Sequence, residues 1–591
     1  MANVSRFLAA RLRTWGVDRV FGMPGRDVDA LVGVLRGTPD HPEFVQARHE
    51  ESAALMACAH AKLTGRPGCC LAPSGAGALR LTSGLYDAAL DRQPVVAVVG
   101  EEEPAHSADG RRRTPHATPL LAEVSRFAEP VNDPRRAGDA LDRAFQAALT
   151  ERGPAALVVP RSVLTAEAPK ELKTHDAAGT VPARFEPPAR PPRMDDVRRA
   201  AGVLNDGRKV AIVVGRGAAR AADRAAGVAG LLGAGIATTP LARDVLPDDL
   251  PYVAGVAAPY GSTAAAALLR DCDTLLLLGA GDLDRSLLPD DGRRRVVALD
   301  AEAAAPGSRP AAGLHVTGDV AAALDALLPL LRRKHGRAWR ETVERAVDEW
   351  RVEGRAKAHR FFGTSVNPRA VVAELSARLP DRAVVVTDSG SALDWWTTHL
   401  ELRAGMRALL SDGLAAPGAA VPYAVAARLA CPDRPVIALV GDGAFQARGL
   451  NELLTVRRHL ERFAKQPPLL FCVLNNGDLN RLTWQRRTES GDPRIPPSQE
   501  VPDAAYADYA RLLGLAAVRC DRPRAVGDVW EWALSRMGPA LLEFAVDGEV
   551  PPDWAEPEGR GGTADRSRPR VSHGRVRRLI GAAPAGLFRP G

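Results

Sequence analysis

Short apolar runs punctuate the chain, separated by longer stretches in which apolar positions recur every three or four residues. GCCLAP, PVVAVVG and AALVVP lie in the first part, KVAIVVG, DTLLLLG and RRVVALD in the middle, and AVVVTD, PVIALVG and LLFCVLNN towards the end. Each is six to eight residues long, rich in Val, Leu or Ala, and closed by Gly, Pro, Asp or Asn. Runs of this length that lack strict in–out alternation are strands buried on both faces, as in parallel sheets. With helices between them they form β–α–β units. The pattern predicts an α/β protein of three doubly wound parallel-sheet blocks, over residues 1–165, 193–335 and 366–550. Residues 166–192, ending RFEPPARPPR, read as a proline-rich linker, 336–365 as a charged helical connection, and 551–591 as a flexible basic tail. The first and third blocks are alike in size and strand content.

One run ends unusually. In VIALVGDGAF, residues 436–445, the strand delivers Asp442 between Gly441 and Gly443. Ligands bind beyond the carboxyl ends of strands in open parallel sheets, so this carboxylate stands where a ligand would sit. An N-capping Asp in an ordinary strand-to-helix turn would look the same. The next strand decides between the two: LLFCVL ends at Asn475 and Asn476, followed by GDLN. If the strands are neighbours, the Asn476 amide oxygen and the main-chain carbonyl of Asp478 join the Asp442 carboxylate. That oxygen set suits Mg²⁺, which also takes phosphate oxygens and water.

GDG followed one strand later by NN resembles the thiamine diphosphate motif of the superfamily that contains pyruvate oxidase, acetolactate synthase and pyruvate decarboxylase. The interval from Asp442 to Asn476 is several residues longer than usual there, and HLERFAKQPP reads as a longer surface loop that holds the surplus. The resemblance extends over residues 1 to about 550, through GVDRVFGMPGRDVDALV, FVQARHEESAALMACAHAKLTGRPG, LAPSGAGALRLTSGLYDAALDRQPVVAVVG and GLNELLTVRRH. It implies that Glu50 hydrogen-bonds the pyrimidine N1′ of the cofactor. It also implies cofactor contacts at Gly25, Ser74, Gly75 and Gly77 in the first block and at Ser389, Gly390, Gly441, Gly443 and Ala444 in the last. Asp442, Asn476 and Asp478 would hold the metal. The activity implied is loss of CO₂ from a 2-oxo acid, with oxidation or carboligation to follow. Non-oxidative decarboxylation and a catalytically silent cofactor-binding relative are the alternatives. A homodimer or homotetramer with shared sites is expected. FAD in the central block is possible by the same resemblance: VVGRGAARA and LLLLGAGDLDRSLLP stand in the expected places, but the aromatic and proline pattern of oxidases is missing.

Departures surround the reacting end of the cofactor. SGAG at Ser74–Gly77 replaces the usual SGPG. RRRTPH brings Arg113 and His116 near the pocket, although each reads first as a surface group. Pro417 aligns with the large apolar residue that props the cofactor, or else starts a helix. These changes bear on the choice of acid and leave cofactor binding intact.

Composition adds limits. The 591 residues are 46% apolar and 25% charged, which is the balance of a globular protein. A net charge of +7 would allow nucleic acid, yet arginines are spread throughout and mixed with acids, as in RRKHGRAWRETVERAVDEWRVEGR. Without a basic cluster in the folded part, no nucleic-acid role is expected. No long uncharged apolar run suggests a membrane span, and the N-terminus lacks a signal-peptide core. A cytoplasmic protein is expected. Seven scattered cysteines without CxxC pairs read as reduced core residues.

Overall fold

The computed structural model describes residues 3–37, 40–102, 116–169, 185–186, 188–281, 283–288, 292, 294–301, 313–360 and 365–556. Among them are three six-stranded sheets in which every pairing is parallel. The N-terminal sheet holds β1 (Arg19–Gly22), β2 (Glu43–Gln46), β3 (Gly68–Ala72), β4 (Val95–Glu101), β5 (Phe127–Pro130) and β6 (Pro154–Pro160), in the order β2-β1-β3-β4-β6-β5. The central sheet holds β7 (Val210–Val214), β8 (Gly235–Thr238), β9 (Val253–Val256), β10 (Thr274–Leu278), β11 (Arg295–Asp300) and β12 (Gly313–Thr317), ordered β12-β11-β10-β7-β8-β9. The C-terminal sheet holds β13 (Val384–Thr387), β14 (Arg407–Leu409), β15 (Val436–Gly441), β16 (Leu469–Asn475), β17 (Ala516–Cys520) and β18 (Pro539–Ala545), ordered β14-β13-β15-β16-β18-β17. First and last sheets thus share one topology, as their similar sequence patterns suggest. Each reverses its strand order beside its first strand, between β1 and β3 and between β13 and β15, and that reversal opens a crevice for ligands.

Among the helices that line the crevices or bind the sheets together are α1 (Glu50–Thr64), α2 (Ala76–Leu90), α3 (Ala338–Ala358), α4 (Ser391–His399), α5 (Ala420–Ala430) and α6 (Asn480–Glu489). α1 and α5 are buried on nearly every side, and both are rich in alanine. Such small side chains let the two helices approach closely. One apolar core therefore runs from Phe21, Val45 and Met56 of the N-terminal half to Val384, Tyr423 and Phe471 of the C-terminal half. The expected charged connection is the helix α3, but it is no solvated spacer: Val343, Val347 and Trp350 bury one face against the central sheet. HLERFAKQPP is likewise more than a surface loop. Phe463 is fully buried in the shared core, and Arg462 pairs with Glu43 of β2 at 2.8 Å. All seven cysteines are unbridged, and only Cys431 is not fully buried.

A polar cluster fastens the same two halves. Lys62 Nζ, at the end of α1, donates to Asp91 Oδ2 at 2.5 Å, to the Leu410 carbonyl at 2.6 Å and to the Tyr423 hydroxyl at 2.8 Å. Tyr423 in turn donates to Asp87, whose other oxygen accepts from Ser411. Burial pushes the Asp91 carboxyl up, while Lys62 pulls it back down. The central part joins through Asp244, which accepts from Arg216 at 2.8 Å and from Arg407 at 2.6 Å. Both arginines also donate to the Lys62 carbonyl, at 3.0 and 3.2 Å.

Candidate active site

The crevice of the C-terminal sheet gathers the residues singled out beyond its strands. β13, β15 and β16 are consecutive neighbours, with Gly441 of β15 opposite Leu474 of β16. Their ends deliver Asp388, Asp442 and Asn476 side by side. Asp442 Oδ2 accepts main-chain N–H bonds from Asn476 at 3.0 Å and Gly477 at 2.6 Å, and Oδ1 accepts from Gly443 at 2.8 Å. The Asp442 carboxylate thus sits directly on the NN turn. Burial pushes its carboxyl up to about 6 despite these donors. The Asn476 amide oxygen accepts from the Asp478 N–H at 3.0 Å, which places the amide within the same turn. The Asp478 carboxylate is occupied elsewhere: it accepts from Thr483 of α6 at 2.7 Å and lies 2.9 Å from Arg494 Nε. What Asp478 can offer a cation is its main-chain carbonyl.

Asp388 organises the other wall. Its carboxylate accepts N–H bonds from Ser389 at 2.9 Å, Gly418 at 2.8 Å and Ala420 at 3.0 Å, and burial raises its carboxyl to about 6. Gly390 caps α4, whose first N–H groups face the crevice end. Among the described residues, nothing lies within 4 Å of where a Cβ on Gly390 or Gly441 would stand. Open space over a helix N-terminus, next to a carboxylate, amide and carbonyl set, is a fitting cradle for a diphosphate and its hard cation.

The N-terminal crevice, between β1 and β3, carries the other group. Glu50 opens α1 and is buried. Its carboxylate stands 3.7 Å from the half-exposed Arg80 of α2. A Cβ on Gly77 would lie 2.8 Å from the Pro73 ring and 3.3 Å from Glu50 Oε1, so only glycine fits there beside the acid. Gly25 is as tight, its Cβ position being 2.4 Å from Pro73. The Ser74 N–H donates to Asp27 at 2.5 Å, and Gly75, with φ of 64°, starts α2. Gly25, Ser74, Gly75, Gly77 and Glu50 are therefore brought together at one crevice. Ser389, Gly390, Gly441, Asp442, Gly443, Ala444, Asn476 and Asp478 share the other.

Comparison with known proteins matches each of the three sheet regions to a family domain. Residues 2–119 match the N-terminal TPP binding domain of thiamine pyrophosphate enzymes, 197–327 the central domain and 388–544 the C-terminal TPP binding domain. The chain belongs to the thiamine pyrophosphate enzyme family. It is 28% identical over 540 residues to YdaP of Bacillus subtilis, with 91% of each chain covered. It is 30% identical over 573 residues to an acetolactate synthase of Mycobacterium bovis, covering 91% of this chain and 87% of that one. A pyruvate oxidase of Lactiplantibacillus plantarum is 24% identical over 547 residues, with 91% and 88% covered. The residues present fit the group for which the family is named, by the open cradle and by the oxygen set beside it.

Other positions fall differently. Arg113 lies outside the described residues. His116 is exposed and precedes the helix Ala117–Ala122 without a side-chain capping bond. Pro417 does not start a helix, since α5 begins at Ala420. The central glycine turns lie at adjacent strand ends and close on each other, Gly217 N–H donating to the Gly279 carbonyl at 3.1 Å. Sequence reasoning missed Arg448 and Glu51. Arg448 Nε and Nη2 meet the Glu51 carboxylate at 2.8 and 2.6 Å, joining the helix of Glu50 to the segment after Asp442. The signal was present as two adjacent acids in RHEE and an arginine six residues beyond Asp442. Nothing in either stretch announces that they meet.

Proposed function

We propose that this family member is a thiamine diphosphate- and Mg²⁺-dependent enzyme that decarboxylates a 2-oxo acid and passes the product on to oxidation or to a second carbonyl compound. The observation that carries the reading is the contact of the Asp442 carboxylate with the Asn476–Gly477 turn at adjacent strand ends. In this reading the Asp442 carboxylate, the Asn476 amide and the Asp478 carbonyl hold the cation. Gly390, Gly441 and the α4 N-terminus take the diphosphate. Bound thiamine diphosphate supplies the carbon nucleophile and electron sink that decarboxylation needs. Glu50 hydrogen-bonds the pyrimidine ring, a contact that a buried carboxyl makes without competition from solvent. Names among the relatives, acetolactate synthase and pyruvate oxidase, support the substrate class.

The reading includes a homodimer or homotetramer in which Glu50 and Asp442 of different chains share a cofactor. Exposed apolar residues border each half-site: Leu79, Tyr86 and Leu90 on α2, and Leu479, Leu482 and Ile495 beside the metal turn. Patches of this kind, unfavourable in a monomer, support burial against a second copy. Flavin decides the branch: yellow protein after gentle purification places the chain with the oxidases and synthases. A colourless protein that takes up no added FAD places it with non-oxidative decarboxylases or ligases.

Mass spectrometry of released cofactors, then a screen for CO₂ release from a panel of 2-oxo acids, tests the whole reading. Asp442→Ala is expected to abolish Mg²⁺-dependent binding of thiamine diphosphate in calorimetry. Unchanged affinity in that variant refutes the metal assignment.

A further inference from the structure

The chain after Asp442 does not run straight into a regular helix. Phe445–Gly449 forms a π turn, a wide single turn that commonly marks a functional site, before the helix Leu450–Arg458 begins. The turn is tightly packed: a Cβ on Gly449 would stand 2.4 Å from the Phe445 ring. Arg448 projects from it and uses three donors. Nε and Nη2 form a two-pronged pair with Glu51, at 2.8 and 2.6 Å, and Nη1 donates to the Pro417 carbonyl. Glu51 lies in the first turn of α1, directly after Glu50, and also accepts from Ser83 of α2. Its side chain is 9% exposed and that of Arg448 is 22%.

The loop that Arg448 holds is pinned at both ends. Asp91 accepts the Gly413 N–H at 2.8 Å, and Asp388 accepts those of Gly418 and Ala420. Between these anchors the backbone is unusual, with Ala415 at φ of 51° and Gly418 at 86°. An alanine keeps that left-handed conformation only where its surroundings hold it. Gly418 is also pressed onto the π turn, a Cβ there falling 2.7 Å from the Ala444 carbonyl and 2.9 Å from Arg448 Cβ.

We propose that Arg448 is a positioning residue: through one guanidinium it fixes the first turn of α1, which carries Glu50, against the Pro417 loop beside the diphosphate cradle. What is positioned, the Glu50 end of one thiamine diphosphate site against the diphosphate end of the neighbouring one, rests on the function proposed above. Lysine cannot take the place, because a single ammonium lacks the fork that meets both Glu51 oxygens while a further N–H reaches Pro417.

The test compares full-length wild type with Arg448→Ala, Arg448→Lys, Glu51→Gln and the double variant Arg448→Ala/Glu51→Gln. Hydrogen exchange of the cofactor-free protein over residues 414–419 reads the loop. Calorimetry with thiamine diphosphate and Mg²⁺ reads the site. In Arg448→Ala, loop exchange is expected to rise at least tenfold and cofactor affinity to fall at least tenfold. Arg448→Lys should restore thermal stability but not loop protection, and the double variant should be no worse than Arg448→Ala alone. Loop exchange and affinity both within twofold of wild type, with only the melting temperature lowered, would overturn the proposal by making Arg448 merely structural. Effects that multiply in the double variant would overturn it too, since the pair would not act as a unit. Wild-type protein that protects the loop as expected yet binds no thiamine diphosphate would refute the proposed function while supporting the clamp.

Discussion

Replacing Lys62 by Met asks how strongly the buried polar cluster holds the two halves together. Methionine keeps most of the stem and removes the charge. The loss strands the Asp91 carboxylate, whose side chain is wholly buried, with only the N–H groups of Gly413 at 2.8 Å and Asp412 at 3.2 Å. It also leaves the Leu410 carbonyl without its lysine donor. Removing one partner of a buried ion pair costs about 3–5 kcal/mol, so the urea midpoint of the full chain, whose m-value exceeds that of a small domain, should fall by roughly 0.5–1 M. The pH dependence has a definite sign. Burial already raises the Asp91 carboxyl, and Lys62 is the main group opposing that rise. Without it the folded-state value climbs further above the unfolded one. Such a group stabilises fully below its unfolded value and loses that contribution as pH rises through the folded value. The deficit of Lys62→Met should therefore shrink between pH 7 and pH 5, and Lys62→Met/Asp91→Asn should recover much of it at pH 7. Urea unfolding followed by tryptophan fluorescence at the two pH values is the assay. A cost below about 1 kcal/mol, or a deficit that grows on acidification, refutes the reasoning.

Three further outcomes are expected. Glu50→Gln should bind cofactor within about tenfold of wild type but turn over ~100-fold more slowly, and refolding it together with Asp442→Ala chains should restore part of the activity; mixtures that stay inactive while wild type recovers exclude shared sites. Gly418→Ala, at φ of 86° and 2.7 Å from the Ala444 carbonyl, should destabilise by about 2 kcal/mol or more. Gly16→Ala, at φ of 79° in open space, should cost only about 1 kcal/mol, and equal losses in thermal melts would discredit the clash. Burial, with Arg19 and Arg66 against Asp18, lowers His60 to about 4, so stability present above pH 6.5 should drain away as pH falls towards 4. His60→Phe should lack up to about 3 kcal/mol of that acid-dependent loss, and an unchanged acid profile in its denaturation would contradict the assignment.

Central strands and the meeting of GDG with NN were legible because burial writes itself into local sequence. All nine apolar runs are strands, and GDG and NN stand at neighbouring ends as their spacing implies. The edge strands β5 and β17 escaped because they are half wet and mixed in character, as in FAEP and AAVRC. Their partners, not their residues, make them strands. Long-range polar contacts escaped for a related reason. Lys62 with Tyr423 and Glu51 with Arg448 join positions more than 350 apart, and a charged residue destined for burial looks in sequence like any surface charge. The π turn was hidden as well, since one extra residue in a helix leaves the apolar spacing on either side almost unchanged.

The shared core of the first and last sheets sets a timetable for the chain as it is made. α1 buries its alanine face against α5, which ends 366 residues after Thr64. At about 5–20 residues per second, that face emerges from the ribosome roughly 20–70 seconds before its cover exists. The N-terminal sheet must wait, bare along one side, while the whole central sheet is built. The interval is a window in which chaperones or a neighbouring nascent chain compete for the same surface, and slowing synthesis between the two halves should lengthen it.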